Sequence, residues 1–144
     1  MNEKKEILTL KILWGAIALG FALFLAVAYF LFVKDANEPA FEEFQAMSYI
    51  SYLLVIAAIP GGYYIFDKMV KTKPESLNRA MPLYRKALII KYMIFEFAGF
   101  FSVITYMLSS KIGSLYMSAF ILVALLINKP SLKAFHNIFN QNKP

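Results

Sequence analysis

Four long apolar blocks, separated by short polar segments, make up most of the chain. About 20 residues of helix cross the hydrocarbon core of a bilayer, so an apolar stretch of roughly 18 or more residues with few charges predicts a membrane span. We place the four predicted spans at residues 12–33, 47–66, 87–108 and 112–127. Because they use most of the 144 residues, the pattern predicts one all-α transmembrane domain, a four-helix bundle, over the whole chain.

The polar segment after the fourth block has a helical pattern of its own. Leu132, Phe135, Ile138 and Phe139 recur at helical spacing, with polar residues between them. A helix with one apolar and one polar side can lie in the plane of the membrane interface. We therefore predict a short interfacial amphipathic helix over about residues 130–140.

The basic residues predict the orientation. Of the 15 Lys and Arg residues, three precede the first span, six lie between the second and third spans, and three follow the fourth. The two opposite loops hold only Lys34 and Lys111. Cytoplasmic loops of membrane proteins carry an excess of Lys and Arg. This bias predicts that both termini are cytoplasmic, and it explains the net charge of +6 without a nucleic-acid partner.

Composition excludes several kinds of chemistry. The chain has no cysteine, and its one histidine is His136, so disulfides, thiolate sites and a histidine-based metal site are not expected. The sequence contains no nucleophile elbow, no phosphate-binding glycine loop and no carboxylate pair for metal-assisted lipid chemistry. We therefore expect neither an enzyme nor a cofactor.

One acidic residue of nine, Glu96, falls inside a predicted span. Ionising a carboxyl group at mid-depth costs about 2.5–3.5 kcal/mol on insertion scales. We therefore expect Glu96 to be protonated at neutral pH and to face the fourth span, where Ser114 and Ser118 could bond it; Tyr92 lies one turn before it. Lys91 is expected to extend to the cytoplasmic headgroups. This candidate site is either a proton or cation site, or a neutral polar link between helices.

Pro60, Gly61 and Gly62 interrupt the end of the second apolar block. Proline removes a backbone donor and glycine adds flexibility, so the second span is expected to bend or break here. Broken helices line cavities in transporters, but prolines are also ordinary in membrane helices. Both interpretations stay open.

Small residues recur at steps of three and four in the first block, at Gly15, Ala18, Ala22 and Ala26. In lipid, small residues on one face let helix backbones approach closely. The pattern predicts a helix-packing seam. This seam packs either against α-helices of a second copy, in a homodimer, or against the protein's own other helices.

The run YRKALIIKYMIFEFAGF, the tight hairpin after the third span, and KPSLKAF near the end resemble a group of uncharacterised bacterial four-span membrane proteins. Tyr84, Glu96, Pro130 and Ser131 match that pattern, which covers mainly the second half of the chain. The resemblance implies a bacterial cytoplasmic (inner) membrane protein and implies no particular activity.

These observations favour an accessory, assembly or interaction subunit of a membrane complex. Its expected partners are membrane lipids and either other membrane protein subunits or further copies of itself. The alternative is an oligomeric, proton- or ion-coupled transporter of small molecules that uses Glu96.

Overall fold

The computed structural model describes residues 3–32, 44–72 and 77–140, and in these ranges the chain forms five α-helices and no strand. The helices are α1 (Glu3–Phe32), α2 (Gln45–Val70), α3 (Leu77–Ser109), α4 (Ile112–Ile127) and α5 (Leu132–Asn140). The predicted all-α class is confirmed for these residues. Each predicted span falls within one helix, except that residue 33 of the first span lies outside the described ranges.

Three helices of the described chain, α1, α2 and α3, are each long and apolar enough to cross a membrane. Their 30, 26 and 33 residues correspond to about 39–50 Å at 1.5 Å per residue, which exceeds a core about 30 Å thick. The chain is thus a membrane protein. Helix α4 has only 16 residues, and α5 follows it at an angle of 75°. A crossing by α4 stays a prediction.

Helix α3 packs against each of the other four described helices. Tyr92, Phe95 and Tyr106 on α3 are fully buried, and Phe100 packs edge-on against Phe21 of α1 with ring centroids 5.3 Å apart. Gly99 makes this approach possible, because a Cβ atom there would collide with the Phe21 ring. The apolar core therefore lies around α3.

Buried serines join α2 to α3. Ser51 and Ser102 share a hydrogen bond of 2.8 Å, and Ser48 donates to Ser109 over 3.2 Å. Small hydroxyl residues let two membrane helices approach closely and bond each other, and each such bond contributes on average about 0.6 kcal/mol. The contact between α2 and α3 is thus close-packed and internally satisfied.

The second helix does not break at Pro60, because α2 continues as one α-helix from Gln45 to Val70. A bend at Pro60 stays a prediction. The two glycines that follow have different surroundings. A Cβ atom at Gly62 would lie 2.7 Å from Cε1 of Phe95, whereas one at Gly61 would have nothing within 4 Å. Gly62 therefore makes room for a buried ring of α3, which is a packing role.

The predicted C-terminal helix is present as α5, but part of its apolar side is turned toward the protein. Phe135 is fully buried and packs against Tyr84 of α3 with centroids 5.5 Å apart. His136 lies 3.5 Å from a carboxylate oxygen of Glu3 on α1. The ends of α1 and α3 thus provide an apolar surface for α5, while Lys133 is exposed. An interfacial position of α5 stays a prediction.

The four small residues of α1 do not form one contact strip within the chain. Ala18 is buried, Ala22 is partly exposed and Ala26 is exposed. A Cβ atom built at Gly15 would have nothing within 4 Å. The face of α1 that packs inward instead includes large residues such as Phe21, since α1 fits its rings against Gly99 of α3.

Candidate functional site

Lys91 of α3 is the most unusual side chain in the described chain, because its charge is buried with only 4% exposure. Its Nζ donates to Oδ1 of Asn128 at 2.5 Å. The same nitrogen lies 3.6 Å from the ring centroid of Tyr63, 5.1 Å from that of Phe66 and 5.9 Å from that of Phe95. An ammonium group gains electrostatic stabilisation from aromatic faces, about 2 kcal/mol or more where water is excluded. The three rings thus offset part of the cost of burial.

Helical spacing explains how the rings meet the ammonium. Tyr63 and Phe66 lie three residues apart on α2, and Lys91 and Phe95 lie four apart on α3, so each pair shares one side of its helix. These sides face each other across the contact between α2 and α3. The carboxylate of Asp67, one turn after Tyr63, interacts electrostatically with the ammonium.

The same group of side chains completes the end of α4. Asn128 is the C-cap residue of α4, and its backbone carbonyl accepts from the hydroxyl of Tyr92 at 2.6 Å. The indole Nε1 of Trp14 donates to the carbonyl of Leu125 at 2.7 Å. The last carbonyls of a helix have no partner within the helix and are costly in a medium without water. Donors from α1 and α3 satisfy them here.

Asn128 joins three helices through its side chain. Its Oδ1 accepts from Lys91 of α3 and, at 2.9 Å, from the Tyr63 hydroxyl of α2. Its Nδ2 donates to the carbonyl of Ala124 on α4 at 2.6 Å. We call these five residues the Asn128 cluster: Trp14, Tyr63, Lys91, Tyr92 and Asn128. Since the Lys91 amine is enclosed and already bonded, the cluster fixes helices together and offers no accessible nucleophile.

Glu96 lies apart from this cluster, at the edge of the contact between α3 and α1. Arg85, about three turns earlier on the same side, pairs with Glu6 of α1 at 3.5 Å, and Phe100, one turn later, packs against Phe21. Glu96 is partly exposed. Within the described chain its carboxyl group makes no hydrogen bond and no ion pair.

The expected partners of Glu96 are bonded elsewhere. The hydroxyl of Ser118 donates to the carbonyls of Gly99 at 3.3 Å and of Ser114 at 3.1 Å, and that of Tyr92 donates to Asn128. The Ser114 hydroxyl is buried without a hydrogen-bond partner. The expectation that Glu96 faces α4 and bonds these serines is therefore wrong. Ser118 of α4 lies level with Gly99, about one turn from Glu96, but packs against a different side of α3.

The expectation for Lys91 is also wrong, since its ammonium is enclosed by the protein and bonded to Asn128. The sequence did contain a signal for its burial. Lys91, Ser102 and Ser109 recur at intervals that place them on one side of α3, and that side faces α2 through the two serine pairs. A polar stripe of this kind indicates a helix contact, and Lys91 belongs to it.

No group of three or more metal-ligating side chains occurs in the residues that the structure describes. No family model, curated protein or solved structure matches the chain. The resemblance to bacterial four-span proteins stays a prediction.

Proposed function

We propose that the protein is an accessory or assembly subunit that binds a partner membrane protein along the side of α3 bearing Glu96. The observation that supports this proposal is the state of Glu96. It is a partly exposed carboxyl group within a membrane-spanning helix, and it makes no polar contact to any described residue. Such groups are costly in lipid and normally pair with a donor or a cation.

Most buried polar side chains of the described chain find partners within the chain. Lys91, Tyr92 and Trp14 all have acceptors near the end of α4, and two serine pairs join α2 and α3. A second copy of the chain is a poor source of a cation for Glu96, because Lys91, the basic residue nearest to Glu96 along α3, is enclosed. A different membrane helix that carries a basic or amide side chain is the better complement.

The test is a photo-crosslinking group at Met93, an exposed position one turn before Glu96, in protein purified in a mild detergent. We expect a stable partner that crosslinks at Met93 and is not captured from Phe120, an exposed control position on α4. Glu96→Leu should abolish the crosslink, because it removes the polar group. Glu96→Gln should retain part of it, because Gln keeps the shape and a donor.

Two results would overturn the proposal. One is a homogeneous monomer with no crosslinked partner. The other is a crosslink that Glu96→Leu leaves intact. The same purified protein in vesicles with an internal pH dye tests the alternative, since a proton flux that Glu96→Gln abolishes would indicate a coupled transporter.

We also propose that the chain crosses a bacterial inner membrane four times as a four-helix bundle, with both termini cytoplasmic and α5 at the interface. Contacts that gather the basic segments at one end of the molecule support this arrangement. Arg85 pairs with Glu6, and the Nζ of Lys129 lies 5.7 Å from the centroid of the Trp14 ring. Basic residues gathered at one end match the charge bias of cytoplasmic loops.

A further inference from the structure

We propose that one anionic phospholipid binds to the outer side of α3, with its phosphate at Arg85 and Lys86 and an acyl chain in the groove between α2 and α3. The proposal is based on two adjoining surface features, a cleft and a groove. A shallow cleft of about 390 Å³ contains the two cations together with Pro82. A wider groove of about 610 Å³ follows it, and Ile90 lines both.

The groove has the chemistry of an acyl-chain site. Its walls are apolar side chains of two helices, among them Ala57 and Ala58 of α2 and Met93 and Phe97 of α3. The small side chains of the two alanines leave room for the groove on the α2 side. From Arg85 to Phe97 the helix rises about 18 Å, which is close to half of a hydrocarbon core about 30 Å thick. The cleft and the groove together therefore extend about as far as one leaflet is thick.

The cleft has the chemistry of a phosphate site. Arg85 and Lys86 are both exposed, and Arg85 can present parallel N–H donors to a phosphate. Its ion pair with Glu6 spans 3.5 Å between side chains that are 52% and 33% exposed. Exposed pairs of this kind contribute little, so Arg85 can turn to a phosphate without a large loss. Basic sites at the end of membrane helices are a recognised setting for anionic headgroups.

The lipid site adjoins the side of α3 that carries Glu96, since Arg85 lies on that side and Met93 lines the groove. Ile90 and Phe97 line the groove toward α2, whereas Phe100, one turn after Glu96, contacts α1. The lipid proposal rests on the two cations and the apolar groove, so it is tested on the purified chain without a partner protein at Glu96.

The test is native mass spectrometry of the full chain in an uncharged detergent, titrated with phosphatidylglycerol or with phosphatidylcholine of the same acyl chains. Each cation near an anionic surface contributes about fivefold in binding, so two cations predict a preference for phosphatidylglycerol on the order of 25-fold. Arg85→Gln with Lys86→Gln should remove this preference. Lys68→Gln with Lys71→Gln is the matched control, since it removes two exposed cations at the same end of the molecule and should leave the preference unchanged.

Two further variants separate the headgroup from the chain and guard against misfolding. Ala57→Phe fills the groove and should weaken both lipids by a similar factor. Glu6→Gln frees Arg85 without removing a cation and should leave phosphatidylglycerol bound as tightly or more tightly. The proposal is overturned if the Lys68 and Lys71 control loses the preference equally, or if Ala57→Phe has no effect. It is also overturned if glycerol phosphate displaces the lipid as well as phosphatidylglycerol does, because the chain would then contribute nothing.

Discussion

Replacing Asn128 with leucine should destabilise the protein more than replacing Lys91 with methionine, although Lys91 carries the charge. Asn128 accepts from both Lys91 and Tyr63. Its loss would leave a nearly inaccessible ammonium with aromatic faces and no hydrogen-bond acceptor. Lys91→Met removes the buried charge itself, and the Asn128 oxygen keeps the Tyr63 hydroxyl as donor.

The contacts give the approximate sizes. A hydrogen bond to a charged group contributes about 1.5–3 kcal/mol and a neutral one about 0.5–1.5 kcal/mol, so Asn128→Leu should cost about 2–4 kcal/mol. Lys91→Met loses the charged bond and a cation–π contribution of about 2 kcal/mol. It also relieves an ammonium desolvation cost of several kcal/mol. Its net cost should therefore be about 0–1.5 kcal/mol. The double variant should lose about 2 kcal/mol less unfolding free energy than the sum of the two single losses.

The chain carries its own probe for this measurement. Trp14 is the single tryptophan, and its indole bonds Leu125 in the last turn of α4. Unfolding in mixed micelles with increasing fractions of an anionic detergent, followed by Trp14 fluorescence, gives the free energy for each variant. Tyr63→Phe is the control, since it removes only the weaker of the two donors to Asn128. Two outcomes would refute the reasoning: a larger loss for Lys91→Met than for Asn128→Leu, or strictly additive losses in the double variant.

Two further predictions concern packing and topology. Gly62→Ala should lower stability by about 1–3 kcal/mol in the same assay, because its Cβ atom would press on the buried Phe95 ring. Gly61→Ala is the control and should be neutral or slightly stabilising, because a Cβ atom there would have nothing within 4 Å. Equal effects of the two variants would contradict this account. Alkaline phosphatase fused at Ser110 should be active outside the cytoplasm and the same enzyme fused at Asn78 should be inactive, and activity from the Asn78 fusion would refute the proposed orientation.

The helices were predictable because each arises from one local property, the length of an apolar block. The fourth block was placed at residues 112–127, and α4 has these bounds. Helix ends were less predictable. Helix α1 begins nine residues before its span and α3 ten residues before its span, because polar helical turns continue beyond an apolar stretch without changing the hydropathy pattern.

The site was less predictable because it depends on how the helices are rotated against one another. The position of each residue along its span correctly placed Ser118 within about one turn of Glu96, but hydropathy does not show which side of α3 carries Glu96. For Lys91, the expectation of an ammonium at the membrane surface assumed that lipid surrounds its stem. Tyr63 and Phe66 of α2 surround it instead, and that contact joins residues far apart in the chain.

The central position of α3 also sets the order in which the fold can be completed during synthesis. Helices α1 and α2 leave the ribosome first, yet they pack mainly against α3 and α4 and hardly touch each other. Until α3 is inserted, Ser48 and Ser51 of the nascent chain lack the hydroxyl partners on α3 that they later bond. The first two helices therefore remain unpacked against each other, in the bilayer or beside the insertion machinery, until α3 is inserted. Helices α1 and α2 form their tertiary contacts only after α3 is inserted and packs against both of them.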